Sequence, residues 1–221
     1  YLIEQIQHTG GDPIASSTSD SSPQTIRLSF NHPVKELVWC YQNSGFSASS
    51  KLQALWNFTT NSSNLKLTTD VTQLALANVA VQPHAAGAPL LAVGTLGGSF
   101  SWTEEGSNQA NLEVGPLQQW KLILNGQDRF KEQSGKYFNQ WQPYQYHSGV
   151  PYPGIYCYSF ALQPEEHQPT GTCNFSRIDN AQVQAWVKSS AVTNGVTQKL
   201  FAVNYNILRI QSGMGGLAFS N

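Results

Sequence analysis

The sequence predicts an all-β protein in which two sheets pack face to face. Polar and apolar residues alternate with a period of two in many short runs, and the apolar positions are rich in β-branched and aromatic side chains. Glycine and proline separate these runs, and long helical patterns are nearly absent. About eight strands with this spacing are typical of a β-sandwich or a β-barrel.

The first two predicted strands lie in the runs TIRLSF and ELVWCYQ. Successive side chains of a strand point to opposite faces, so every second residue shares a face. Large apolar residues occupy alternate positions in both runs, which predicts one half-buried face for each strand. These residues are Ile26, Leu28 and Phe30 in the first run and Leu37, Trp39 and Tyr41 in the second.

Five later runs continue the alternation: QWKLILN, IYCYSFAL, AQVQAWV, KLFAVNYNILRI and GLAFS. We predict a strand in each of them. The SGMGG segment at 212–216 is predicted to form a hairpin turn, because glycine adopts positive φ at little cost. The residues that share one face are Trp120, Leu122 and Leu124 in the first run and Tyr156, Tyr158, Phe160 and Leu162 in the second.

Two of the predicted connections are unusually long. Between residues 43 and 110 the alternation weakens into Ser-, Asn- and Thr-rich sequence with short apolar pieces. Residues 125–154 form an aromatic-rich excursion, NGQDRFKEQSGKYFNQWQPYQYHSG and the residues after it. Loops of this length are usually functional or carry short strands of their own. We interpret residues 1–221 as one domain with an insertion at 43–110.

The composition argues against two classes of partner. Charged residues make up 11% of the chain and the net charge is −1, so no basic surface is expected for a nucleic-acid backbone. No run approaches eighteen continuous apolar residues, so no membrane-spanning segment is predicted. The sequence starts at Tyr1 without an initiator Met or a visible signal peptide, and we expect it to be a piece of a longer polypeptide.

The sequence contains no motif that is specific for catalysis. Glu104–Glu105 and Glu165–Glu166 are adjacent doublets, and neighbours on a strand point to opposite faces, so neither doublet is a carboxylate pair by itself. The five histidines lack metal-ligand spacing, and no nucleophile elbow or phosphate-binding loop is present. We therefore predict no catalytic residues, no metal site and no cofactor. Cys40, Cys157 and Cys173 are interpreted as small buried residues of a reducing compartment.

Three N-glycosylation sequons are present, and each alone is a weak signal. Asn57 and Asn61 lie in a polar stretch and are the candidate glycosylation sites. Asn174 adjoins a predicted strand, and we expect its side chain to have a structural role.

Five segments together resemble a known family. These are RLSFNHPVKELVWCYQ, LNGQDRF, YFNQWQPYQYHSG, GIYCYSFALQPEEHQPTGTCNFSRIDNA and VNYNILRIQSGMGGLAFSN. They are similar, in the same order, to the C-terminal half of major capsid proteins of nucleocytoplasmic large DNA viruses of the iridovirus, phycodnavirus and mimivirus types. The resemblance implies the second of two tandem eight-stranded jelly rolls, and it implies that residues 43–110 are a variable outer loop.

The resemblance also implies a function. Such subunits form trimers with a pseudo-hexagonal outline that tile an icosahedral shell, so we expect a structural protein of the virion, assembled in the host cell cytoplasm. The expected partners are copies of the same protein, neighbouring capsomers, and minor capsid and penton proteins. The first jelly roll is absent from this sequence, which leaves open the oligomeric state of this half alone.

Polar and aromatic residues of the matching segments are the candidates for structural and subunit-contact roles. We expect the charged residues of the loop at 165–182 to satisfy one another or backbone amides near a subunit contact. The candidates are Asp128, Arg129, Trp141, Tyr144, Glu165, Glu166, Arg177 and Asp179.

Two alternative functions remain open at this point. A jelly-roll lectin is possible because Trp141, Tyr144 and Tyr146 offer aromatic faces to sugar rings. A β-sandwich glycanase would need two carboxylates that face each other across a cleft.

Overall fold

The computed structural model describes residues 1–15, 22–43, 58, 115–188 and 195–219. Within these ranges eleven strands form two antiparallel sheets. The strands are β1 (Leu2–Ile14), β2 (Gln24–Leu28), β3 (Pro33–Asn43), β4 (Leu117–Leu124), β5 (Gln127–Asp128), β6 (Gln133–Ser134), β7 (Ile155–Ser159), β8 (Cys173–Asn174), β9 (Ala181–Val187), β10 (Val196–Gln211) and β11 (Met214–Leu217).

The connections carry the strands back and forth between the sheets. The first sheet has the order β1-β10-β3-β7, with β11 beside β10 and β8 beside β3. The second sheet has the order β2-β9-β4-β5, with β6 beside β4. In the described part of the chain, the two main paths therefore contain eight strands in two four-stranded layers, which is the jelly-roll arrangement.

The two layers meet in a core of aromatic side chains. Trp39 of β3 and Trp120 of β4 stack across the interface, with ring centroids 4.3 Å apart and an interplanar angle of 16°. Phe138 and Tyr156 pack against Trp39 at centroid distances of 5.3 and 5.7 Å. All four side chains are fully buried. Because aromatic pairs add to the free energy of area burial, this cluster is a principal contact between the sheets.

The predicted strand faces are confirmed with one correction. Ile26, Leu28 and Phe30 are buried, and so are Leu37, Trp39, Tyr41, Trp120, Leu122, Tyr156 and Tyr158. Leu162 was predicted on the same face as Tyr158, but it is exposed. Strand β7 ends at Ser159, because the next two backbone N–H groups, of Phe160 and Ala161, both donate to the carbonyl of Lys35 and turn the chain away.

The excursion at 125–154 is more ordered than its sequence indicates. It opens with a two-residue turn in which Asn125 and Gly126 have φ of 51° and 80°, which matches the twist of the β4–β5 hairpin. After β6 the chain forms a π-helical turn at Tyr137–Trp141 and a short helix, α1, at Gln142–Tyr146. The predicted turn at 212–216 is present but shorter: it consists of Ser212 and Gly213, which have positive φ, and residues 214–216 belong to β11.

Some predictions lie outside the described residues. The proposed insertion at 43–110 is one of them, apart from Asn43, which ends β3, and Phe58. The three cysteines are free thiols in three strands of the first sheet: Cys40 in β3, Cys157 in β7 and Cys173 in β8. Cys157 is buried as predicted, but Cys40 and Cys173 are only half-buried, because their side chains lie near the outer face or the edge of the sheet.

Candidate functional site

A charged cluster lies on the outer face of the first sheet, where the excursion and the loop after β7 cover β3. The ring of His147, which follows α1, lies between two carboxylates. Its Nε2 is 3.2 Å from Oε2 of Glu36, and its Nδ1 is 3.4 Å from Oε1 of Glu165. The thiol of Cys157 contacts the same ring. We call these four residues the His147 cluster.

Strand alternation and two hydrogen bonds explain how the His147 cluster forms. Glu36 and Val38 share the outward face of β3, and Cys157 pairs directly with Val38, so its side chain lies on that face too. Glu165 reaches the cluster from the loop after β7. Its carboxylate accepts hydrogen bonds from the backbone N–H of Ser148, at 2.9 Å, and from the Ser148 hydroxyl, at 3.2 Å.

The electrostatics of the cluster favour a structural role over nucleophilic catalysis. The contact with Cys157 and then the ion pair with Glu36 raise the pKa of His147 to about 10, so the imidazolium is present at neutral pH. Burial raises the pKa of the Cys157 thiol, and a protonated thiol is a poor nucleophile. The Ser148 hydrogen bonds lower the pKa of Glu165. The cluster therefore joins a strand, a helix end and a loop through an ion pair.

The loop at 165–182 does not pair internally in the way that was expected. Glu165 binds Ser148 and His147, which confirms the alternative of a backbone amide partner. Glu166, Arg177 and Asp179 are exposed, and no ion pair joins the four residues to one another within the described residues. The expected mutual pairing is corrected accordingly. A subunit-contact role for these side chains stays a prediction.

Asp128 and Arg129 help to hold the β4–β5 hairpin. Oδ2 of Asp128 lies 3.1 Å from Nζ of Lys121, one strand away. The backbone N–H of Arg129 donates to the carbonyl of Leu122 at 2.8 Å and so continues the strand pairing beyond β5. Both side chains are exposed and remain available for contacts with another molecule.

Trp141 and Tyr144 lie on the exposed side of the helical turns. The Trp141 ring stacks on Tyr137, with centroids 5.0 Å apart and planes 12° from parallel, and Tyr146 packs edge-on against it. The rings of Tyr137, Trp141 and Tyr144 border an open cleft of about 640 Å³, which we call the aromatic cleft. Its lining consists of Lys136, Tyr137, Gln140, Trp141, Tyr144 and Val150.

Two of the three sequons lie outside the described residues. Asn57 and Asn61 are among the residues that are not described, so their glycosylation stays a prediction. The expected structural role of Asn174 is confirmed, because its Oδ1 accepts a hydrogen bond from the backbone N–H of Ser176 at 3.1 Å. The Ser176 hydroxyl in turn accepts from the backbone N–H of His32 at 2.8 Å.

Sequence reasoning missed several buried polar contacts. Nζ of Lys35 lies 2.7 Å from Oε1 of Glu4 on β1, although Lys35 is almost fully buried. Asn139 and Gln142 are also buried, and their amides bind the backbone of the β7 region. The only local sign that the amides of Asn139 and Gln142 are buried is their position within an aromatic-rich run. Glu4 and Lys35 belong to different strands, so no local pattern links them.

The described ranges contain neither a candidate metal site nor a candidate membrane-spanning helix. There, no group of three or more His, Cys, Asp or Glu side chains is placed to hold a metal ion. None of the helices in the same ranges has the length and apolar character needed to cross a bilayer.

Comparison with known proteins identifies the family. The profile of the family described as "Large eukaryotic DNA virus major capsid protein" matches residues 1–216. The chain belongs to this family. It is 40% identical to the major capsid protein of Phaeocystis pouchetii virus and 38% identical to that of Paramecium bursaria Chlorella virus 1, with 100% of this chain covered and 48% of each relative.

Solved capsid structures have the same fold. A quasi-atomic model of the PBCV-1 virus capsid matches 100% of this chain and 51% of its own chain, with a TM-score of 0.69 and 34% identity. The chain spans about half the length of the curated relatives it matches, and it corresponds to their C-terminal half. The jelly-roll prediction and the family resemblance are thereby confirmed. The comparisons do not support the sugar-binding alternative.

Proposed function

We propose that this chain is the C-terminal jelly roll of a capsid shell subunit. In this proposal, three copies of the full-length polypeptide form a pseudo-hexagonal capsomer, and the capsomers tile an icosahedral shell. The observation that carries it is the match of the capsid protein family to residues 1–216, in a chain whose fold follows a virus capsid protein along its whole length. The role is mechanical, and no enzymatic step is proposed.

The proposed partners follow from the same role. They are further copies of the protein, neighbouring capsomers, and minor capsid and penton proteins, and the proposed location is the virion after assembly in the host cytoplasm. Nucleic acid is not proposed as a partner, because a chain with a net charge of −1 and no basic run has little attraction for phosphates. Direct membrane insertion is not proposed either.

We further propose that the aromatic cleft packs against a second copy of the protein. Trp and Tyr are enriched at the energetic centres of protein interfaces, and here two such side chains are presented by a segment anchored to the core. Trp141 is 46% exposed and Tyr144 is 79% exposed, so both have area to bury. The exposed residues Glu166, Arg177 and Asp179 are suited to the polar rim of such contacts.

The test is the native mass and the assembly of the full-length protein. We expect a trimer in solution and hexagonal arrays or shells by electron microscopy. The double variant Trp141→Ser, Tyr144→Ser should weaken association at least tenfold, because each lost anchor costs about 1–2 kcal/mol. Leu162→Ser is the matched control, since Leu162 is exposed but lies outside the cleft. A full-length protein that stays monomeric and never forms arrays would overturn the proposal.

A further inference from the structure

Exposed apolar side chains are concentrated around the hairpin formed by β10 and β11. Met214 is 74% exposed, and Tyr1, the residue before β1, is 81% exposed. Such a concentration at one end of a protein marks an interaction site. We call the set the terminal patch, and it consists of Tyr1, Ile207, Ile210, Met214, Leu217 and Phe219.

The hairpin carries apolar residues on both of its faces. Ile210 pairs with Gly215 and Leu217 with Leu208, which places Ile210 and Leu217 on one face, whereas Met214, opposite Gln211, lies on the other. Residues 209–219 are exposed throughout, although the earlier part of β10 is buried at alternate positions. A two-stranded hairpin with both faces in water is marginally stable, so this one needs a covering surface.

The base of the hairpin is held in place by hydrogen bonds. Nδ2 of the buried Asn206 donates to the carbonyl of Phe219 at 2.8 Å and to Oε1 of Gln5 at 2.9 Å. The backbone N–H of Leu208 donates to the carbonyl of Tyr1 at 2.8 Å. The start of β1 and the end of the hairpin are therefore fixed side by side. A surface that is fixed in this way loses little conformational entropy when it is covered.

The length of the relatives indicates what covers this surface. This chain matches the C-terminal half of proteins about twice as long, so in those proteins a segment of similar length precedes the matched region. In a longer polypeptide, the segment that precedes Tyr1 would connect to this half within the terminal patch.

We propose that the N-terminal half of the full-length polypeptide docks on the terminal patch and that the β10–β11 hairpin is the seam between the two halves. This inference rests on one part of the proposed function, namely that the chain is the C-terminal half of a capsid subunit. Covalent connection at Tyr1 holds the N-terminal half next to the terminal patch from the start of folding, so it reaches this surface before a second copy does. A second copy of the protein lacks that advantage.

The test uses the full-length protein with a protease site inserted directly before Tyr1. After cleavage, the two halves of the wild type should still co-elute in size exclusion chromatography at micromolar concentration. Met214→Asp should cause loss of co-elution after cleavage, because it places a charge in an apolar contact. Leu162→Asp is the matched control, since Leu162 is 72% exposed outside the patch, and it should behave as the wild type.

Hydrogen exchange of the uncleaved wild type provides a second measurement that does not depend on a variant. Backbone amides of Leu208, Ile210 and Leu217 should be protected as strongly as those of β3. Separation of the wild-type halves on cleavage, or rapid exchange of these amides, would overturn the inference. Co-elution of the cleaved Met214→Asp halves would also overturn the inference. If these halves co-elute and the uncleaved Met214→Asp protein no longer forms the trimer, the terminal patch contacts a second copy instead. A wild type that is trimeric but separates on cleavage would refute the inference and leave the proposed function standing.

Discussion

At the scale of single residues, the contact between the layers depends on a few large side chains. Trp39 and Trp120 come from different sheets and stack on each other at 4.3 Å, and Phe138 packs edge-on against Trp120 at 5.1 Å. Protein interiors are packed as densely as organic crystals, so neighbouring side chains cannot collapse into the space that a lost indole leaves. Truncation of these side chains should therefore destabilise the fold more than truncation of exposed ones.

Trp120→Ala should reduce the free energy of unfolding by about 3–5 kcal/mol, because it removes buried aromatic area and leaves a cavity between the sheets. The measurement is the urea unfolding midpoint of the full-length protein, which should fall with an unchanged denaturant dependence. The control is Leu162→Ala, at a side chain that is 72% exposed and lies outside the aromatic cleft, and this change should cost less than about 1 kcal/mol. Equal losses in the two variants would contradict the assignment of Trp120 to the core.

The sequence predicts the core tryptophans but not the ion pairs, and the reason is distance along the chain. Trp39 and Trp120 each lie in a run whose alternation shows which side is apolar, so their burial follows from local sequence. Glu165 has charged neighbours in its own loop, yet it pairs with His147, which precedes β7 in the sequence, whereas Glu165 follows β7. Charges that are close in sequence are easily mistaken for partners when the fold brings a third segment between them.

At the scale of elements, the helical turns at 137–146 show where pattern reasoning stops. The segment YFNQWQPYQYH has neither an alternating pattern nor a helical one, because its aromatic and amide residues point both inward and outward. Pro143 directly follows the π-helical turn, in which the backbone N–H of Gln142 donates to the carbonyl of Tyr137, so the chain is helical on both sides of the proline. The segment is held mainly by tertiary contacts, which no local propensity reports.

Two buried amides attach this segment to β7. Oε1 of Gln142 accepts a hydrogen bond from the backbone N–H of Ser159 at 3.2 Å, and its Nε2 donates to the Tyr137 hydroxyl at 2.9 Å. Nδ2 of Asn139 donates to the carbonyl of Ile155 at 2.8 Å. Because buried polar groups without partners are costly, these bonds determine the position of the turns on the sheet.

Gln142→Leu should loosen this attachment and reduce stability by about 1–3 kcal/mol, since it leaves the Ser159 N–H and the Tyr137 hydroxyl without these partners. Hydrogen exchange should show faster exchange of the Ser159 amide and of residues 137–146, with little change in β10. The matched control is Gln145→Leu, the same substitution at an exposed position of α1. If the Ser159 backbone amide exchanges as slowly in both variants as in the wild type, the Gln142 side chain does not anchor the segment.

At the scale of the whole molecule, long-range strand pairing holds each of the two sheets together. The long strands β1 and β10 run beside each other over eleven paired positions, and residues from distant parts of the sequence meet in each sheet. Reactive groups in the described residues are restrained by burial, which raises the pKa of the Cys157 thiol and of Cys173. The proposed functional surfaces are the exposed aromatic cleft and the terminal patch.

The His147 cluster gives the stability of the whole fold a defined dependence on pH. The pKa of His147 is about 10 in the folded protein against 6.5 for an unperturbed histidine, because Cys157 and the Glu36 carboxylate lie against the ring and favour its protonated form. A raised pKa in the folded state means that the folded protein binds the proton more tightly than the unfolded chain does. The resulting stabilisation is fully present below pH 6.5 and is lost as the pH rises towards 10.

His147→Gln should remove this contribution, which we expect to be about 1–2 kcal/mol because the ring is partly accessible to solvent. The difference in unfolding free energy between wild type and variant should be largest near pH 6 and should shrink steadily up to pH 10. The exposed His167 lies in the loop that supplies Glu165, and His167→Gln is the matched control, with no such trend. A wild-type-minus-variant difference that is constant from pH 6 to pH 10 would mean that the ion pair does not couple protonation to folding.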